Sequence, residues 1–196
     1  AMALARPVFG RMTHFAEEPG RVTMAIVVDC SASMTHQDGA LTRMAQARSA
    51  ALRALAGLRR GDQVCLIPAG GTARQSPLFT GDLQATVNRI SDLKSSAGAA
   101  DFADAIATAV DALSHQPGGE KRLVLVCDKQ ASSWANVDDK LAADLRARMA
   151  QMGAAFSVVT VGSDSAENIA IESAAIVNPP AVALNGAQLE VKLHNY

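Results

Sequence analysis

The run Val22-Thr23-Met24-Ala25-Ile26-Val27-Val28 limits what this chain can fold into more than any other stretch. It is apolar and rich in β-branched residues, without the alternation of a strand that has one face in water. Such a run reads as a strand buried on both faces, at the centre of a parallel sheet covered by helices. It ends on Asp29, and serines follow at alternate positions, giving Asp29-x-Ser31-x-Ser33. Just past a strand end, this spacing turns one carboxylate and two hydroxyls toward a common point. Hard oxygen ligands of this kind suit Mg²⁺ or Ca²⁺ rather than zinc. Serines here equally suit capping the next helix and satisfying turn backbone. The short motif alone leaves both readings open.

The remaining pattern supplies the layers such a strand needs. Residues 1–21 carry Pro7, Gly10, Pro19 and Gly20 without periodicity and read as a lead-in segment. After the central strand, Asp38 is expected to open a long helix, with Leu41, Met44, Ala45, Leu52, Leu55 and Leu58 at three- and four-residue spacings and a stop at Gly61-Asp62. Gln63 to Ala69 is a second strand, and Ala73 to Phe79 can return beyond Gly70-Gly71 as an antiparallel edge strand. Two helices are marked by Leu83, Val87 and Ile90 and by Phe102, Ile106, Val110 and Leu113. Arg122 to Asp128 is the third core strand, again ending on an aspartate. A helix marked by Leu141, Leu145, Met149 and Met152 precedes a last core strand, Ala155 to Val161. Strands alternating with helices predict an α/β three-layer sandwich with a mostly parallel central sheet and one antiparallel edge strand, over residues 22–168.

The tail departs from this rhythm. Only Gly162 to Asn168 separates the last core strand from the next candidate, Ile169 to Val177, which is too short for a parallel crossover. Leu189, Val191 and Leu193 then alternate with polar residues, as in a half-buried strand. Residues 169–196 are therefore expected to be a short C-terminal β extension, the start of a following module. Its strand is expected to dock on an edge of its own domain or to pair with a second copy in a strand-paired dimer.

A net charge of −1 leaves no electrostatic footprint for nucleic acid. No apolar run is long enough to span a bilayer. The first residues lack the charged and apolar regions of a secretory leader, so the chain is expected to be a soluble segment excised from a longer protein. Cys30, Cys65 and Cys127 lie in or beside core strands without paired spacing and read as small buried thiols.

The D-x-S-x-S at the end of a central strand, with a later strand ending on Asp128, resembles the von Willebrand factor type A domain. In that family these residues build a metal-ion-dependent adhesion site, with a threonine from a second loop. The resemblance implies a divalent cation such as Mg²⁺ at Asp29, Ser31, Ser33 and Asp128. The second loop departs from the pattern, because Ala99-Ala100-Asp101 carries no hydroxyl. Binding is therefore expected to be weak, with Asp101 or Ser96 as auxiliary groups. The segment Asp128-Lys129-Gln130-Ala131-Ser132-Ser133-Trp134 also resembles large bacterial membrane proteins related to the Bat aerotolerance regulators. That likeness implies a membrane-anchored parent in the cell envelope, with the domain on its periplasmic side and an Ig-like module following. The family's C-terminal helix has no counterpart after Gly162.

The resemblance implies a protein-interaction module of adhesion type, whose partner contributes an acidic side chain to the metal. Met34, His36 and Trp134, beside the first and third loops, are the candidate partner contacts; Trp134 equally suits covering the helix that follows. Two alternatives remain. One is a metal-free structural scaffold; the other is a haloacid-dehalogenase-like phosphatase using Asp29 as nucleophile. The phosphatase would want a second aspartate where Ser31 stands, and no G-x-S-x-G elbow or phosphate loop is present.

Overall fold

The computed structural model describes residues 20–70, 76–163, 169–176 and 189–195. In chain order the elements are β1 (Val22–Asp29), a 3-10 turn (Ala32–Thr35), β2 (Gln37–Asp38), β3 (Leu41–Thr42), α1 (Arg43–Leu55), β4 (Gln63–Ala69), α2 (Leu83–Ser91) and α3 (Phe102–Ser114). Then come β5 (Glu120–Cys127), a second 3-10 turn (Ala131–Trp134), α4 (Asp139–Gln151), β6 (Ala155–Thr160), β7 (Ile169–Ile176) and β8 (Leu189–Asn195). The chain divides into two compact units, 1–162 and 163–196.

In the first unit β1 lies between β4 and β5 in a parallel sheet of order β4-β1-β5-β6. Every residue of β1 is buried. Its alternation divides the core in two. Met24, Ile26 and Val28 pack with Met44, Ala47, Ala51 and Leu55 of α1 and Ile90 of α2. Ala25 and Val27 pack on the opposite face with Phe102, Ile106, Ala109 and Val110 of α3 and with Leu145 and Met149 of α4. This is the three-layer sandwich that an unalternating central strand requires. The three cysteines are free and buried. Burial pushes the Cys30 and Cys127 thiols up to about 12 and the Cys65 thiol up to about 11, so they are inert apolar side chains.

Two expectations are corrected. The first helix starts at Arg43 rather than Asp38. Gly39 adopts φ +68°, which lets the chain reverse between β2 and β3, and Thr42 then caps α1 by accepting from the Ala45 N–H at 3.2 Å. The antiparallel edge is also shorter than expected. Thr80 alone bridges antiparallel to Val64, while residues 76–79 form no strand and 71–75 lie outside the described residues.

In the second unit β7 and β8 pair antiparallel as a hairpin, Ile176 opposite Leu189 and Ala174 opposite Val191. The partner of the alternating tail strand is thus β7. Val177, the end of the first tail strand expected from the sequence, and residues 178–188 lie outside the described residues.

Asp62, which ends the α1 connection, has a second task. Its buried carboxylate accepts from the Val22 N–H at 2.8 Å and from the Arg59 N–H at 2.7 Å, tying the start of β1 to the loop before β4. Asp62→Ala leaves both amides unpartnered and is expected to lower unfolding free energy by about 2–4 kcal/mol. Asp62→Asn, which keeps one good acceptor, should lose less. Urea titration of the three proteins checks the order.

Candidate functional site

Because β1 and β5 are parallel neighbours, their C-terminal ends place Asp29 and Asp128 side by side at the same sheet edge. Ligand sites in open parallel sheets gather at this edge. Both aspartates are buried, at 0% and 1% exposure. Asp29 Oδ1 accepts from the Ser31 N–H at 2.8 Å, whereas its Oδ2 is buried with no protein partner. The Ser31 and Ser33 hydroxyl oxygens lie 2.9 Å apart. Burial raises the Asp29 carboxyl above its ordinary range. Hydrogen bonds from Ser31 and the Asp128 backbone oppose the rise, and the negative charge of Asp128 adds to it.

The second loop is stitched to the first. The Ser96 N–H donates to the Cys30 carbonyl at 2.6 Å, and the Ala32 N–H to the Gly98 carbonyl at 3.0 Å. Ser96 Oγ is buried without a partner. Ala100, in the second loop before α3, is buried in the core with Phe102. Gly70, at the end of β4, allows the first loop this close approach. A Cβ there would lie 3.1 Å from the Cys30 carbonyl carbon, and its φ of +119° favours glycine in any case.

The other named residues divide. Both carboxylate oxygens of Asp101 are engaged: Oδ1 caps α3 by accepting from the Asp104 N–H, and Oδ2 accepts from Asn136 Nδ2 at 2.9 Å. Met34 is fully buried in the core beneath α1, so its place among the partner contacts is corrected. Its thioether faces inward because the 3-10 turn lays that side chain on the sheet. His36 is exposed. Trp134 is half-buried and stacks edge-on against Phe102, with ring centroids 5.0 Å apart.

The sequence reading missed Arg43. Its Nη1 donates to Asp128 Oδ2 at 3.0 Å, while Asp128 Oδ1 accepts from the Gln130 N–H at 3.1 Å. One signal was available. A cation at the first position of a helix faces the positive end of the helix dipole, so it wants a carboxylate from elsewhere.

A carboxylate oxygen left bare and two adjacent hydroxyls are what a hard divalent ion would take up. On that test the first loop fits such an ion. The Asp128 corner does not, because a guanidinium already holds its outward oxygen. Among the described residues, no group of three or more His, Cys, Asp or Glu side chains could hold a metal by itself.

Sheet order, strand-end aspartates and the D-x-S-x-S loop define a von Willebrand-type fold, and the model of the von Willebrand factor type A domain matches residues 24–130, more than half of the chain. The chain belongs to that family. No curated protein matches it. Solved structures similar to it include the conserved hypothetical protein BatB from Bacteroides thetaiotaomicron, with 21% identity, a TM-score of 0.58, and 89% of this chain and 80% of that one covered. An aerotolerance-related membrane protein from Bacteroides fragilis is similar at 19% identity and TM-score 0.58, with 89% and 81% covered. The von Willebrand domain of the type V pili tip protein Mfa5 from Porphyromonas gingivalis shares 20% identity at TM-score 0.50, over 59% and 40% of the two chains.

The raised Asp29 carboxyl has a consequence for stability. The folded state holds that proton more tightly than the unfolded state, so the stabilising contribution is present at low pH and is lost as pH rises through the raised value. Asp29→Asn removes the desolvated charge and keeps the acceptor for the Ser31 N–H. In chelator it is expected to melt a few degrees above the parent at neutral pH, with the difference vanishing in acid. Melting curves across pH check both halves.

Proposed function

We propose that this chain is a protein-interaction module of adhesion type within a bacterial envelope protein, and that the first, second and third loops form its recognition face. The observation that supports this best is the buried Asp29 carboxylate, whose free oxygen lies beside the paired Ser31 and Ser33 hydroxyls. Asp29, Ser31 and Ser33 would hold a divalent ion such as Mg²⁺, with Asp128 supplying further negative charge. The ion would contribute an open coordination position for an oxygen of an acidic partner side chain. His36, exposed beside the loop, and Trp134, half-exposed beside the third, flank that face.

Ala100 makes the ion weakly held, because it withdraws one oxygen ligand. Calorimetry with Mg²⁺ is expected to show binding no tighter than the micromolar range, and Ala100→Thr should tighten it. Sub-micromolar affinity in the parent would refute the weak-site reading. An unchanged Ala100→Thr would show that the second loop is wrongly aligned.

The module is not expected to catalyse. Ser31 stands where a phosphatase of the Asp29-nucleophile type needs its second carboxylate. The expected outcome with p-nitrophenyl phosphate is no turnover above a buffer control. Turnover that disappears in Asp29→Asn would instead establish the phosphatase.

No helix among the described residues is long and apolar enough to cross a membrane. The anchor of the parent would therefore lie in segments outside this chain, an arrangement that fits the membrane protein to which the fold is similar. A metal-free recognition or scaffold face is the second reading, and the Arg43–Asp128 pair favours it.

In this reading the domain would span residues 22–168 and the β extension 169–196. The hairpin β7–β8 would begin an Ig-like module, since Ile176, Leu189 and Val191 expose an apolar face that further strands would cover. Deleting residues 169–196 is expected to leave the melting temperature of the remaining domain unchanged within a degree or two. It should also abolish self-association at high concentration in sedimentation velocity, where strand pairing between copies is otherwise expected. Unfolding of the truncated chain would mean the hairpin is integral to the domain.

A further inference from the structure

Three features unconnected in sequence place a guanidinium on Asp128. Arg43 is the first residue of α1, where the unpaired N–H groups of the helix repel a cation. The carboxylate it reaches across the fold is what makes that position tenable. The Arg43 side chain is 11% exposed and Asp128 1%, so the pair is largely withdrawn from water and little weakened by its screening. The backbone is cut to fit the arginine as well. At Gly162, φ is +90°, and a Cβ there would lie 3.0 Å from Arg43 Nε and 3.5 Å from Arg43 Cδ. The Gly162 N–H donates to Gln46 Oε1 at 3.1 Å, which fixes that backbone against α1.

The pair leaves Asp128 fully engaged, with Oδ1 on the Gln130 amide and Oδ2 on Arg43. Arg43 Nε is buried without a partner, while its Nη1 donates to Asp128. Asp29 has no such counter-ion, and its free oxygen is the part of the site that still calls for a cation. A divalent ion taken up there would face a fixed positive charge on the neighbouring carboxylate. Two cations sharing one buried carboxylate repel strongly in a medium less polar than water.

We infer that Arg43 is the resident counter-ion of Asp128 and competes with a divalent ion for this site, so that Arg43 as well as Ala100 sets the ion affinity. The inference rests on the reading that an ion binds at the first loop, and the experiment separates the two. Mn²⁺ is titrated calorimetrically into the full chain as parent, as Ala100→Thr, and as Ala100→Thr with Arg43→Gln. The added Arg43→Gln is expected to tighten binding on the order of 10-fold or more, because it removes the fixed positive charge that repels the ion. If Ala100→Thr binds Mn²⁺ and Arg43→Gln adds nothing, the competition is overturned while the ion reading stands. If no variant binds millimolar Mn²⁺, both fall.

Arg43→Lys in the same background separates charge from packing. It keeps the cation and is expected to bind Mn²⁺ about as weakly as Ala100→Thr alone. A lysine variant as tight as the glutamine variant would show that lost packing, not lost charge, sets the affinity, and would overturn the inference. Removing Arg43 leaves Asp128 without its partner, so melting is followed with and without Mn²⁺. The rise in melting temperature on adding the ion should be larger for Arg43→Gln than for its parent, even where the ion-free variant is partly unfolded. An equal rise would also overturn the inference.

Discussion

Burial of β1 on both faces, with a parallel neighbour on each side, is the constraint from which the rest of this structure follows. A strand in that position can carry no polar side chain along most of its length without an internal partner, which is why residues 24–28 are all apolar. The sheet edge where it stops is the first place where a carboxylate can stand. Asp29 stands there at 0% exposure, held through one oxygen by the turn it starts. The neighbouring strand obeys the same rule and ends beside it, so Asp128 arrives within electrostatic reach. Two desolvated carboxylates at one edge are thus a product of the sheet topology.

The hairpin β7–β8 obeys different physics. Its described side chains are exposed on both strands, Leu189 at 60% and Ile176 at 52%. Opposed aliphatic pairs on one face stabilise a ladder, but a two-stranded hairpin is marginal in water unless something covers that face. Leu189 and Val191, at 60% and 42% exposure, pair with β7 through the backbone ladder while their side chains stay exposed.

How much of this was legible in the sequence depends on whether the cause is local. The central strand, its flanking helices and both strand-end aspartates follow from periodicity and from where apolar runs stop, and they were readable. The start of α1 was not, because it depends on Gly39 adopting a positive φ, which leaves no trace in hydrophobic spacing. Met34 was read as a contact because it follows Ser33, but the 3-10 turn directs it into the core. Among the described residues the edge strand is one bridge at Thr80, since the pattern there is too short to set its own pairing. Arg43 and Asp128 are 85 residues apart, and nothing near either names the other.

That last pair bears on how far a motif decides chemistry. Asp29 and Asp128 are both buried at one sheet edge, and a metal is only one way to balance two such carboxylates. An arginine on a helix N-terminus balances one of them without leaving the chain, and its cost is met by the same charge it neutralises. Ala100 in the second loop adds no polar group to this edge, being buried at 4% exposure. It sits in the buried cluster that contains Phe102, where a hydroxyl would need a hydrogen-bond partner. A buried charge at this edge is thus met by a side chain 85 residues away in sequence, which no motif around either aspartate announces.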